Sequence, residues 1–337
     1  MFKKFSLLAS LFAGMFLAPL WVQASGELVV YSGRSDKFVR PAMQAFEKKT
    51  GIKVIIHNAK APELINKLRV EGKRTKADLF ISNDAGSLQI GSGLGFFAVL
   101  PQKLLENIPQ NYRAKDNSWT GLSARARVLV VNKNKIKDLD FIKSVADLAD
   151  PRLKGRLAIT QSSNGSFIAG VTVYQQTWGD KQTLAWLKGL ASNTESEAYN
   201  KHSKIVQAVA QGKKDVGLVN HYYIYRHLDK SPHAPIQILI PDQDEKGMGV
   251  AWNVAGIALI KHSQKKEAAK KLVSFLVSNE GQKIFADVNR EYPVRADVHA
   301  SDKIPANGSY KVSDVGMDLL GEKRLETLNL IDKSGLY

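Results

Sequence analysis

Short apolar runs alternate with amphipathic stretches along most of this chain. Leu28 to Tyr31 predicts a buried strand. Behind it Phe38, Val39, Ala42, Met43 and Phe46 recur at helical spacing, and Gly51 supplies a C-terminal stop. Ile52 to Ile56 predicts the next strand. Pro62 opens a helix striped with Leu64, Ile65 and Leu68, which Gly72 closes. Leu79 to Ser82 predicts a third strand. Further strands are expected at Val128 to Val131, Leu157 to Thr160, Val216 to Val219, Ile236 to Ile240 and Val254 to Ile260. Further helices are expected at Phe141 to Leu148, Phe167 to Trp178, Lys181 to Leu190, Ile205 to Ala210, Lys265 to Val277 and Glu280 to Val288.

This alternation predicts an α/β protein with mainly parallel sheets covered by helices on both faces. No low-complexity linker or internal repeat interrupts it. Two lobes must then be joined by ordered crossings, expected near Gly121 to Arg127 and Met248 to Val254. The division assigns residues 25–124 and 251–300 to an N-lobe, and 125–250 and 301–337 to a C-lobe.

The N-terminus changes the compartment expected. Lys3 and Lys4 precede an apolar stretch from Phe5 to Val22, and Val22-Gln23-Ala24 offers small residues at both positions of a cleavage site. That is the layout of a secretory signal peptide, residues 1–24, with a membrane anchor as the other reading. No second stretch reaches membrane length, so the exported chain is expected to be soluble, and a Gram-negative periplasm fits. The 337 residues contain no cysteine, which excludes disulfides, cysteine catalysis and thiolate metal sites. The formal charge is +16, reduced to +14 without Lys3 and Lys4. Export and the scatter of the lysines argue against nucleic acid. A solvated basic surface and a field that draws in anionic complexes both remain open.

The chemistry concentrates in Asp215-Val-Gly-Leu-Val-Asn-His-Tyr-Tyr-Ile-Tyr-Arg226. A buried strand ends at Asn220, a good helix N-cap, and ligands gather at the carboxyl ends of strands in open α/β sheets. Tyr222 and Tyr223 fall in the first turn of the helix that follows. There adjacent side chains diverge by only ~100°, so two phenol oxygens can converge on one ion. Phenolate is a hard donor that a trivalent cation can deprotonate, whereas calcium and magnesium favour carboxylate and carbonyl oxygen. An aromatic pair is also an ordinary core feature. Arg226, on the same helical face, can hold phenolate or a small anion.

These residues bring the chain close to a known family. Leu28-Val-Val-Tyr-Ser-Gly-Arg-Ser-Asp36, Ala77-Asp-Leu-Phe80, Arg125-Ala-Arg-Val128, Asp147-Leu-Ala-Asp-Pro-Arg-Leu-Lys-Gly-Arg156, Asn220-His-Tyr-Tyr223 and Glu291-Tyr-Pro-Val-Arg295 together resemble the periplasmic ferric-iron-binding proteins of ABC transporters, the FutA/FbpA-like family. The resemblance implies a two-lobed periplasmic-binding-protein fold with a hinged cleft. It implies ferric iron (Fe3+) as cargo, taken free or as a ferric chelate, and delivery to an inner-membrane permease. It maps the family's paired tyrosines onto Tyr222 and Tyr223 and its arginine onto Arg226.

Two family positions depart. Where a His or His-Tyr pair is common, this chain has Ser35 and Asp36, and where a tyrosine follows a Ser-Ser-Asn motif it has Ser166. Asp36 is a candidate ligand or a helix cap, and Ser166 a cap or a ligand. Carbonate, citrate or water is expected to complete the shell. Arg125, Arg127 and Arg226 are candidates to neutralise the anion, with Arg125 ahead of Arg127. His221 reads as a surface or supporting residue more than a ligand. Tyr199 and His202 read as surface positions near the cleft. Asn83-Asp84 reads as cleft-facing or a cap.

The expected function is capture without catalysis by a monomer. No nucleophile elbow, zinc-helix motif or carboxylate dyad appears. The alternative is the same fold carrying an anionic organic or phosphorylated solute.

Overall fold

The computed structural model describes residues 26–195 and 197–336. The signal segment read from residues 1–24 lies outside them. The strands are β1 (Glu27–Ser32), β2 (Lys53–Asn58), β3 (Leu79–Ser82), β4 (Phe97–Ala98), β5 (Thr120–Asn132), β6 (Leu157–Ala158), β7 (Val216–Asn220), β8 (Ile236–Leu239) and β9 (Trp252–Ile260). The helices are α1 (Asp36–Thr50), α2 (Ala61–Glu71), α3 (Ala85–Gly93), α4 (Gln102–Leu105), α5 (Gly165–Trp178), α6 (Asp180–Thr194), α7 (His202–Ala210), α8 (His221–Leu228), α9 (Lys266–Leu276), α10 (Asn279–Asn289), α11 (Leu319–Glu322) and α12 (Arg324–Ser334). In α1 the buried residues are the five read from the spacing, and Gly51 ends the helix at φ 72°.

The strands are ordered β2-β1-β3-β9-β5-β7-β6, with β4 on β9 and β8 on β5. β1 runs parallel to β2 and β3, and β6 to β7. Every pairing made by β5 and β9 is antiparallel. The sheet is therefore mixed, not mainly parallel. The two long strands enter the parallel sets in the opposite sense, which an alternation of strand and helix signals cannot reveal.

β5 organises the rest. All thirteen of its residues are buried. Thr120 to Ala126 pair with β9, while Arg127 to Asn132 pair with β7 and β8. Side chains alternate across a strand. Ser123, Arg125 and Arg127 thus share one face, and Ala124 and Ala126 the other.

Two departures have local causes. Phe141 to Leu148 forms no α-helix. Ser144 and Asp147 close a capping box there, and only a short 3-10 turn follows, at Val145–Ala149. Pro151 stands just beyond its end. Conversely α3 forms from Ala-Gly-Ser-Leu-Gln-Ile-Gly-Ser-Gly, a poor helix sequence. Asp84 caps it through the Ser87 amide at 2.8 Å. Tertiary packing explains the glycines. α11 lies against α3, and a Cβ on Gly86 would sit 2.5 Å from the Leu320 carbonyl oxygen. Gly86→Ala is therefore expected to destabilise the protein by about 1–3 kcal/mol through overpacking. Urea unfolding at neutral pH measures it, and an unchanged midpoint would refute the close fit.

Candidate metal centre

β7 delivers Asn220 at its carboxyl end, and α8 begins at the next residue. Asn220 occupies the N-cap position, yet its side chain makes no capping bond. It lies opposite Arg127 in the β5–β7 register, so their side chains share a face. Arg127 Nη1 donates to Asn220 Oδ1 at 3.1 Å. Asn220 Nδ2 donates to Tyr222 OH and Ser166 Oγ, both at 3.3 Å.

The first turn of α8 brings the tyrosines side by side. Their ring centroids are 4.5 Å apart with 34° between the planes. Phe38 of α1 sets its edge against both, at 5.6 Å and 6.3 Å. Tyr222 is buried and Tyr223 half-buried. Burial pushes the Tyr223 hydroxyl well above the ordinary phenol value, and neighbouring Tyr222 adds to it. The phenol stays neutral until a cation displaces its proton. Among the described residues no three His, Asp or Glu side chains cluster to hold a metal.

Two arginines on β5 face this pair. Arg125 and Arg127 are buried. Arg125 Nε and Nη1 and Arg127 Nε and Nη2 have no hydrogen-bond partner. Burial lowers both guanidinium pKa values; the Tyr222 phenol and then Glu291 oppose this at Arg125, and Tyr174 and then Tyr222 at Arg127. Buried donors without partners are costly, so the arrangement favours an anion that accepts from them.

Arg34, from the β1–α1 turn, forks onto Glu291, which follows α10; both are buried. Ser123 Oγ accepts from Arg34 Nη1 at 3.1 Å and donates to Glu291 at 2.9 Å. The Arg34 guanidinium lies 5.2 Å from the Phe38 ring centre. The sequence gives no sign of this pair, because only the fold joins positions 257 residues apart.

Several candidates move. Arg226 Nη1 donates to the Val288 carbonyl at 3.1 Å and its guanidinium lies 5.0 Å from the centre of the Phe38 ring that packs on the tyrosines. Ser166 is not the cap of α5. Asn164 is, accepting from the Ser166 and Phe167 amides. Ser166 instead places its hydroxyl beside Asn220. Asp36 does not cap a helix either. It is the first residue of α1, and Arg40 holds it at 2.7 Å and 3.1 Å. Ser35 precedes it, exposed, at the N-cap position with no side-chain bond. Asp84, besides capping α3, receives Arg324 Nη1 at 3.4 Å.

His202 is buried, not at the surface. Its ring lies 5.1 Å from Tyr223, and Nε2 is 3.5 Å from Arg127 Nη1. Burial, then the two arginines, hold its pKa well below the ordinary histidine value. The signal was present, since His202, Ile205, Val206 and Val209 form one helical stripe.

His221 is spent on structure. Nδ1 accepts from the Ala126 amide at 3.2 Å, and Nε2 donates to the Arg290 carbonyl at 2.8 Å. Burial pushes its pKa down to about 4, against the bonds to Arg290 and Ala126. A histidine depressed in the fold contributes stability present above its unfolded value, which is lost as pH falls. Between pH 7 and pH 4.5 this loss is expected to reach about 2 kcal/mol. Urea titrations should show His221→Gln losing correspondingly less on acidification; equal losses would contradict the assignment.

The family described as bacterial extracellular solute-binding protein matches residues 74–320. Iron uptake protein A1 of Synechocystis sp. is 32% identical over 319 residues, covering 92% of this chain and 87% of that protein. The solved ferric binding protein from Campylobacter jejuni superposes with a TM-score of 0.86 at 31% identity, over 92% of this chain and 100% of that one. A Trichodesmium protein solved with iron and citrate ligands gives 0.81 at 31% identity, over 93% of this chain and 100% of its own. The chain belongs to the periplasmic ferric-iron-binding proteins, a non-enzymatic branch of the bacterial extracellular solute-binding proteins.

Proposed function

We propose that this chain captures Fe3+ through the phenolates of Tyr222 and Tyr223 and passes it to an ABC transporter permease in the inner membrane. One observation carries the reading: two tyrosine rings 4.5 Å apart face two buried arginines with unpartnered guanidinium nitrogens. A trivalent ion on two phenolates retains one positive charge, and Arg125 and Arg127 add two. Citrate, as a trianion, balances that sum, and carbonate with water balances part of it. The citrate in the Trichodesmium structure supports this choice. Asp36 joins the shell only by leaving Arg40, so the anion is the simpler complement.

The lobe division read from the sequence, 25–124 with 251–300 and 125–250 with 301–337, would fall within β5, two residues before that strand changes partners between Ala126 and Arg127. Phe38 already lies on the tyrosines, so opening about β5 and β9 would part them to admit the ion, and the closed form would dock on the permease. The signal segment would direct the chain to the periplasm, with removal after Ala24.

Iron-free protein mixed with a weak ferric chelate is expected to take on the visible tyrosinate-to-iron colour, more strongly with citrate present. The buried arginines also suit a phosphorylated or other anionic organic solute without metal. Calorimetry on iron-free protein separates the two. A sugar phosphate binding tightly where ferric citrate does not would replace the iron reading.

A further inference from the structure

The β5–β9 ladder has a second face. Arg125 pairs with Asn253, and Ala126 with Trp252. Opposed residues share a face, and sequence neighbours take opposite ones. Arg125 therefore points to the tyrosine pair, and Trp252 points away from it.

A cavity of ≈ 420 Å³ opens on that far side, walled by Tyr112, Trp252, Tyr292 and Tyr310 with Val294 and Val312. This is an ordinary size for a small-molecule site. Trp252 stands 5.1 Å from Tyr292 and 6.4 Å from Tyr310, and Tyr292 meets Tyr310 at 6.0 Å and 78°. The rings come from distant stretches of chain. Tyr292 is held by both backbone bonds to Ala124, and the Tyr310 loop by Val250 through Lys311 and Ser313. A box of four aromatic rings joined this way is more than the strands need in order to pair.

We infer that this cavity is a second ligand site, for small planar aromatic carboxylates. The rings offer faces and edges for stacking. Trp252 Nε1 and the Tyr310 hydroxyl make no close hydrogen bond, although the Tyr112 hydroxyl stands near the first and the Tyr292 hydroxyl near the second, and each is a donor that an incoming carboxylate can satisfy better than a neighbouring phenol. Neither meets water, so the carboxylate enters between the rings with a side-chain adjustment of the kind common on binding. Aromatic boxes also take cations. Here no Asp or Glu lines the wall, and the one charged lining residue is Arg295. Its guanidinium is already held by Asp297 and the Val277 carbonyl. An acid, not an ammonium, fits that lining.

The probe is benzoate, added to iron-free full-length mature protein while the indole N–H resonance of Trp252 is followed. Benzoate is expected to move that resonance saturably. Tyr310→Phe, which keeps the ring and removes the donor, is expected to weaken binding about tenfold, the loss of one charge-assisted bond. Binding should persist in Tyr222→Phe with Tyr223→Phe, so this site and the iron site fail independently. No shift with benzoate would overturn the assignment. So would equal affinity in Tyr310→Phe, or a response to benzyltrimethylammonium in place of benzoate.

Discussion

Replacing both hydroxyls, Tyr222→Phe with Tyr223→Phe, is expected to abolish ferric binding and the visible colour of the loaded protein while leaving the fold intact. The rings stay, and with them the packing against Phe38. The Tyr222 hydroxyl accepts one bond, from Asn220 at 3.3 Å, so its removal costs the fold about 1 kcal/mol. The metal loses its anionic donors. Even residues that only support a ligand are worth about 10–100-fold in affinity, so each single variant should lose at least about a hundredfold. Tyr223 adds an acid dependence. Its hydroxyl is held well above the ordinary phenol value, chiefly by burial. Iron must expel that proton, and affinity should fall as pH is lowered. Competition with citrate measures both effects. A double variant that still competes as well as the parent would end the tyrosinate reading.

Glu291→Gln is expected to be the most damaging single change to stability. Glu291 accepts the Arg34 fork, Ser123 Oγ and Asn289 Nδ2. Neutralising it leaves Arg34 buried and uncompensated, which typically costs about 3–5 kcal/mol. That is a large part of a domain stability of about 5–15 kcal/mol. Replacing both partners, Arg34→Leu with Glu291→Leu, should recover much of the loss. Burial alone would raise the Glu291 pKa, but Arg34 and the hydrogen bonds outweigh it and hold the carboxyl below the usual glutamate range. The stabilisation is therefore present above the unfolded value, about pH 4.3, and is lost as pH falls through the lower folded one. Urea unfolding from pH 7 downward should show this acid loss in the parent and not in Glu291→Gln.

The chain was most readable where one local rule sufficed. The stripe of α1, its Gly51 stop and the strand before Asn220 follow from spacing alone, and the tyrosine pair follows from where that strand ends. What depended on distant partners was hidden. Asn220 looked like a cap, but Arg127, opposite it in the sheet, draws its side chain away. Asp36 reads as a ligand or a cap because the sequence does not show that Arg40 takes it. α3 gives no helical signal because its glycines answer to α11, more than two hundred residues later. The antiparallel course of β5 and β9 is likewise a property of the assembled sheet.

That late partnership governs when the protein can fold. β9 fills the place between β3 and β5, and α11 and α12 seal α3, α5 and α6 from the last twenty residues of the chain. A chain emerging from its N-terminus cannot complete its central sheet until β9 at Trp252–Ile260 has appeared, nor its helical seal until α12 at Arg324–Ser334 has. Contacts of such long sequence separation form slowly. For a protein whose relatives work outside the cytoplasm, this delay is useful. A chain threaded unfolded through a secretion channel would present its closing segments on the far side last.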